Sequence, residues 1–221
     1  MILFTASRKN NEQQCIPFNM KNYERRLSPD ELTLHIRGCA QNKRESQKII
    51  YNSFYGYAMA ICHFYAAAYE DTVEILNDGF LKIFKQIASY SPAYTDEVSS
   101  FSGWLRRIMV RTAIAHYRKN NKHRTGEMLS NEADHFPSLS ENGLDKLSHK
   151  EIITAIEQLT PTYRMVLLLR IVEGYSHRQI ALSLGISEGT SKSNFSKARY
   201  RMQEILLKKG GYSNYVRDYA V

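Results

Sequence analysis

The chain has 221 residues, 43% apolar and 24% charged, which is too much greasy material for a wholly disordered polymer. Lys and Arg outnumber Asp and Glu by 30 to 22, and the resulting charge of +8 points to a polyanionic partner, nucleic acid or an acidic membrane surface. Cys15, Cys39 and Cys62 stand singly, without a C-x-x-C pair, so neither a disulfide scaffold nor a zinc site is expected.

The most apolar stretches, 58–62 and 165–169, fall far short of the roughly 20 residues that cross a bilayer. Met1-Ile-Leu-Phe4 runs straight into Ser7-Arg8-Lys9, which does not read as a secretory signal. A cytoplasmic protein with no membrane insertion is expected. Residues 1–27 are polar and irregular and read as a flexible tail, in which Met20 offers an alternative start.

Order begins at Ser28-Pro29-Asp30-Glu31, where a capping serine, a proline at the first helical position and a glutamate three residues on predict a helix start. Helical periodicity then places Ile49, Ile50, Phe54, Tyr57, Ala58, Ile61, Phe64 and Tyr65 on one face of a long helix. Val73, Leu76, Phe80, Ile83, Phe84 and Ile87 line a second, and Trp104, Leu105, Ile108, Ala113 and Ile114 a third. The segment 90–100 breaks the pattern and reads as a loop. No sustained period-two run occurs, so the predicted class is all-α.

From Gly103 to Gly126 there are seven bases (Arg106, Arg107, Arg111, Arg118, Lys119, Lys122 and Arg124) and no acid. Trp104, His116, Tyr117 and His123 share this stretch, so it offers cations for phosphates and flat rings for unstacked bases. The plainer alternative is a solvated basic helix whose tryptophan packs inward.

Residues 125–145 invert the charge, with five acids, no base and many small polar residues. That composition predicts a flexible acidic linker between two helical modules, 28–124 and 146–209, with a second tail at 210–221.

In the second module Thr160-Pro161 starts a helix that carries Tyr163, Val166, Leu167, Leu168 and Ile171. Ser176-x-x-Gln179 is a capping box for a short helix ending at Leu184. Gly185 suits a left-handed turn, and Ser187 caps a further helix running to about Leu207. This is the plan of a helix-turn-helix, whose second helix enters the major groove N-terminus first. Thr190, Lys192, Ser193, Asn194 and Lys197 are expected to face outward near its start, with Lys197, Arg199 and Arg201 suited to phosphates. An ordinary helical hairpin with a glycine turn is the alternative.

Over about 28–208 the residues resemble the extracytoplasmic-function subfamily of bacterial RNA polymerase sigma factors. The string 159–164, continuing through 173–193 to Ala198-Arg199, is similar to that family's region 4. Residues 77–84 resemble region 2.2, and Phe101-x-x-Trp104-Leu-Arg-Arg-Ile108 on to Tyr117-Arg118-Lys119 resembles regions 2.3 and 2.4. The resemblance implies two small helical domains, region 2 and region 4. It further implies that Asn77, Asp78, Phe80, Leu81 and Phe84 dock on core RNA polymerase. Tyr94, Trp104, Arg107, Arg111, Tyr117, Arg118 and Lys119 would hold the melted minus-ten element. Arg178, Glu188, Thr190, Lys192, Ser193, Asn194, Lys197 and Arg201 would read the duplex minus-thirty-five element. Most members of the family have an anti-sigma factor, which is therefore an expected partner. Asn77 and Asn194 stand where the family usually has Gln and Arg.

The expected function is a non-catalytic specificity subunit that directs promoter recognition, melting and initiation, without metal or cofactor. The competing reading is a stand-alone helix-turn-helix regulator of duplex operators, which leaves the Trp104 helix and the acidic linker without a purpose. A nuclease is disfavoured, since there are no clustered carboxylates, no Gly-rich phosphate loop and no activated nucleophile.

Overall fold

Ser28 opens the first helix by the reciprocal bonding its sequence predicts. Its Oγ accepts the Glu31 N–H at 3.3 Å, and the Glu31 carboxylate accepts the Ser28 N–H at 2.9 Å. In the computed structural model, which describes residues 27–121 and 149–209, eight α-helices follow: α1 (Pro29–Ala40), α2 (Arg44–Tyr65), α3 (Tyr69–Gln86), α4 (Glu97–Asn121), α5 (His149–Glu157), α6 (Pro161–Ile171), α7 (His177–Leu184) and α8 (Glu188–Lys209). No strand occurs among the described residues. Both tails (apart from Leu27), the acidic stretch 125–145, and Lys122, His123 and Arg124 lie outside the described residues.

Periodicity does not mark the break between α1 and α2. It is made by Asn42 at φ 58°, a left-handed turn that Asn tolerates better than most side chains. The long loop expected at 90–100 is also shorter in the structure, because α4 already begins at Glu97. Asp96 is the reason: its carboxylate accepts the N–H groups of Val98 and Ser99 at 3.1 and 3.2 Å and so caps the orphan donors of the first turn.

The first four helices close around Leu32, Ile50, Ile61, Ile75, Leu76, Ile83, Phe101, Leu105 and Met109, each no more than 1% exposed. Phe101 is the aromatic centre, with Phe54 at 5.0 Å and Tyr90 at 5.3 Å between ring centroids. Gly79 lets α3 and α4 approach closely, since a Cβ there would fall 2.2 Å from the Met109 sulfur.

The second half repeats the capping logic. Thr160 and Pro161 start α6, and the Ser176–Gln179 capping box starts α7. Gly185 ends α7 at φ 72°, ψ 36°, and the N–H groups of Gly185 and Ile186 both bond to the Ala181 carbonyl, at 2.9 and 3.1 Å. The short α5 packs on α8, as do α6 and α7. The buried core runs on between the halves, with Met165, Val166, Leu169 and Ile180 joined to the cluster of α1–α4 as α6 packs on α2 and α7 on α4.

The turn supplies a direct test. A Cβ at Gly185 would have room, its nearest contact being Arg118 Nε at 3.9 Å, so Ala there carries only the cost of the left-handed backbone. Gly185→Ala is expected to lower unfolding stability by about 1–2 kcal/mol in a urea titration. Gly103→Ala, inside α4 with open space around it, should instead gain about 0.5–1 kcal/mol.

Candidate nucleic-acid interface

Helix α4 divides its side chains cleanly. Phe101, Leu105, Ile108, Met109, Thr112 and Ala113 face the core, while Arg107, Arg111, Arg118 and Lys119 are exposed. Arg106 departs from the basic row that the charge count predicts. It turns toward the second half of the chain and forms an ion pair with Glu173, leaving its side chain only 21% exposed. Lys119 pairs with Glu74 at 3.6 Å, a contact between exposed side chains that water and salt screen strongly.

Trp104 is half-buried, its ring 5.1 Å from Tyr90 and 5.5 Å from Phe101. It therefore belongs partly to the core, as the plainer reading of the sequence held, yet retains an accessible part beside Arg107. Tyr94, in the loop before α4, is 65% exposed. Tyr117 is half-buried, and its hydroxyl lies 2.8 Å from that of Thr162 in α6. The arrangement offers exposed cations along one helix with a partly accessible ring near its start, chemistry suited to an unpaired strand.

On α3, Asn77, Asp78 and Leu81 form an exposed stripe, with Leu81 59% exposed and Phe84 half-buried beside it. Phe80 corrects its expected role. It is 3% exposed and packs on Tyr51 at 4.5 Å, because it shares the inward face of α3 with Leu76 and Ile83. It supports the stripe from behind and is shielded from any macromolecule.

On α7 and α8, Arg178, Glu188, Lys192 and Arg201 are exposed, and Thr190, Ser193 and Lys197 half-buried. Glu188 and Lys192 bond at 2.9 Å along the helix, and Arg201 meets Glu204 at 2.6 Å. The Thr190 hydroxyl is engaged with that of Ser187 at 2.8 Å. Asn194 is the second correction. Expected to face outward, it is only 9% exposed, because positions 191, 194 and 198 form the stripe by which α8 seats on its neighbours. Its Nδ2 finds no hydrogen-bond partner among the described residues.

Sequence reasoning missed what holds α8 against α7. His177, in the first turn of α7, bonds through Nδ1 to the buried Ser191 hydroxyl at 3.0 Å, and its ring meets Phe195 edge-on at 5.5 Å. The only available signal was a small polar residue at an inward position of α8. Among the described residues there is no cluster of three or more potential metal ligands, and no helix long and apolar enough to cross a membrane.

Comparison with known proteins matches residues 50–123 to the family described as Sigma-70 region 2, and residues 149–202 to Sigma-70, region 4. The chain is 25% identical over 143 residues to the ECF RNA polymerase sigma factor SigE of Mycolicibacterium smegmatis, covering 62% of this chain and 52% of that protein. It is 28% identical over 186 residues to the probable RNA polymerase sigma factor RfaY of Xanthomonas campestris pv. campestris, covering 81% and 44%. The chain thus spans about half the length of these two relatives. Among solved structures, the sigma factor RpoE in complex with the anti-sigma factor NepR from Bartonella quintana is similar over 80% of this chain and 94% of that one. The TM-score is 0.38 and the identity 18%.

Burial, then the positive charges of Arg170 and Lys192, hold the His177 imidazole below its ordinary value, against a smaller opposing pull from Glu188. The unfolded chain therefore takes up a proton more readily than the folded one, so the stability contributed here is present above the unfolded value and lost on acidification through the folded value. A ring-proton NMR titration should place the His177 midpoint below 6.5, and Lys192→Ala should raise it.

Proposed function

Since the chain belongs to the extracytoplasmic-function subfamily of bacterial RNA polymerase sigma factors, we propose that it binds core RNA polymerase in the cytoplasm and confers promoter recognition, strand separation and initiation without covalent chemistry of its own. The observation that carries this reading is the partition of α4, with Arg107, Arg111, Arg118 and Lys119 outside and Trp104 half-exposed among them. Duplex regulators need no such surface. It fits a displaced single strand, where stacking on an aromatic ring contributes about 1–3 kcal/mol per base and offsets the cost of unpairing.

Each neighbouring surface takes one task. Residues 28–124 act as region 2, where Asn77, Asp78 and Leu81 meet the polymerase, and Tyr94, Trp104 and the α4 cations, with Tyr117, take the melted minus-ten strand. Residues 146–209 act as region 4. Arg178 and the outer face of α8 (Glu188, Lys192, Ser193, Lys197 and Arg201, with Thr190 beside them) read the upstream duplex, and Asn194 serves the seating of the helix. The acidic residues of 125–145 connect the two, repelled by the DNA phosphates they pass. An anti-sigma factor is a further partner consistent with the subfamily.

Run-off transcription from a promoter library, with core polymerase and with or without this chain, tests the reading. Selective transcripts only in its presence support it, whereas selective duplex binding by the chain alone, with no transcripts, would favour the operator-binding regulator. Asp78→Arg should cut recovery of core polymerase in a pull-down by tenfold or more on the order of a lost charged contact, with helicity unchanged. Lys192→Ala should weaken upstream duplex binding by about 1–3 kcal/mol and leave core binding intact.

A further inference from the structure

The first two turns of α8 leave few groups for a duplex to meet. Asn194 is engaged in packing, Ser191 is buried, and the Thr190 hydroxyl is bonded to that of Ser187. Between 188 and 195 the exposed positions are Glu188, Gly189 and Lys192, and of these only Glu188 and Lys192 carry long side chains. They lie one turn apart on the same arc of the helix, with the Lys192 ammonium bonded to the Glu188 carboxylate at 2.9 Å.

Gly189 stands between them. Its backbone is not left-handed, and an added Cβ would meet only the Ser187 Oγ, at 3.7 Å. Nothing among the described residues therefore requires a glycine here, where it weakens the first turn. The bare backbone lets a partner come close to the two charged side chains.

A carboxylate on a surface that approaches DNA is repelled by the phosphates, and Glu188 stays ionised. Its bond to Lys192 and that cation's charge, then the charges of His177 and Arg178, hold the carboxyl below its ordinary range against a smaller desolvation. An ionised carboxylate can only accept. In the major groove the donors are the amino groups of cytosine (N4) and adenine (N6), while guanine and thymine show none. Each amino group has an acceptor beside it in the same base pair, guanine O6 next to cytosine N4, and adenine N7 or thymine O4 next to adenine N6. The Glu188–Lys192 pair presents the complementary order, an acceptor and a donor held one hydrogen bond apart.

We propose that Glu188 is a specificity-determining residue for the upstream element. It accepts from the amino group of an adenine or cytosine in the strand it faces, while Lys192 donates to the acceptor beside that group, so guanine and thymine are rejected at that one position. The inference rests on the function proposed above and gives it a base class. Guanine or thymine there sets a keto oxygen against the carboxylate, leaving two acceptors facing each other without a proton between them. A purely structural role would be simpler, since glutamate in a first turn suits the helix dipole and its bond to lysine adds a little. That role is indifferent to the base opposite.

The test offers promoter duplexes randomised over the upstream element to the full chain bound to core polymerase, and counts the retained sequences by strand and position. Wild type should favour adenine or cytosine over guanine or thymine about tenfold at one position of one strand. Glu188→Ala should erase that preference and leave those at other positions standing. Glu188→Gln, whose amide both accepts and donates and so pairs bidentately with adenine, should tilt it toward adenine over cytosine. At the same position, exchanging adenine for purine or cytosine for 2-pyrimidinone deletes only the amino group. The deletion should weaken binding by wild type about tenfold and by Glu188→Ala no further. Helicity and recovery of core should match wild type in both variants, and Glu188→Gln decides the matter if Glu188→Ala loses helicity. The assignment is overturned by a pattern unchanged in the variants, by a lost preference that does not divide amino from keto bases, or by an amino deletion that leaves wild type unaffected. Run-off transcripts judge the sigma reading separately, so with transcripts present any of these results strikes the base assignment alone.

Discussion

The molecule depends on one helix serving two solvents. Helix α4 must bury Phe101, Leu105 and Met109 completely while presenting arginines to water a few ångströms away. A 3.6-residue repeat allows this only if apolar and cationic positions never trade places, and the stretch from 101 to 119 keeps that order with one exception. The exception is Arg106, whose charge is retained at the boundary by Glu173. Helices α1 to α3 complete the apolar side, and the second half of the chain leans on the boundary itself.

Local signals were the most legible part of the sequence. The caps at Ser28, Thr160 and Ser176 and the glycine turn at 185 are decided within four residues, and all four form as read. Helix faces were legible to within one position. Val73 and Trp104 were read as core and are half-buried, whereas Ile75, Phe101 and Met109 were overlooked and are among the most deeply buried side chains. The apolar arc of a helix is broader than its strict heptad line, and only the partner helix determines where its centre lies.

Interactions distant in sequence were not legible. Periodicity places Phe80 on the inner face of α3 while the family resemblance places it on a docking surface, and Asn194 is expected outward; both sit on the inner stripe of their helices. Nothing near Glu173 in the chain announces Tyr65 or Arg106, which lie 108 and 67 residues away. His177 and Ser191, 14 residues apart, meet only because Gly185 turns the chain back on itself. Such pairings follow from packing, which a single sequence does not display.

The unsatisfied amide of Asn194 has a consequence for how this protein can change over generations. Its Nδ2 has no acceptor among the described residues, and a buried donor in that state costs about 1–3 kcal/mol, so an apolar residue of similar volume would relieve that penalty. Lys192 lies about 200° around the helix from Asn194 and is exposed, whereas Ser193 and Lys197, at about 100° and 60°, flank the seat and are half-buried. The seat and the exposed cation thus occupy separate faces of α8, so the packing residue can change without moving Lys192, while Lys197 would feel the exchange.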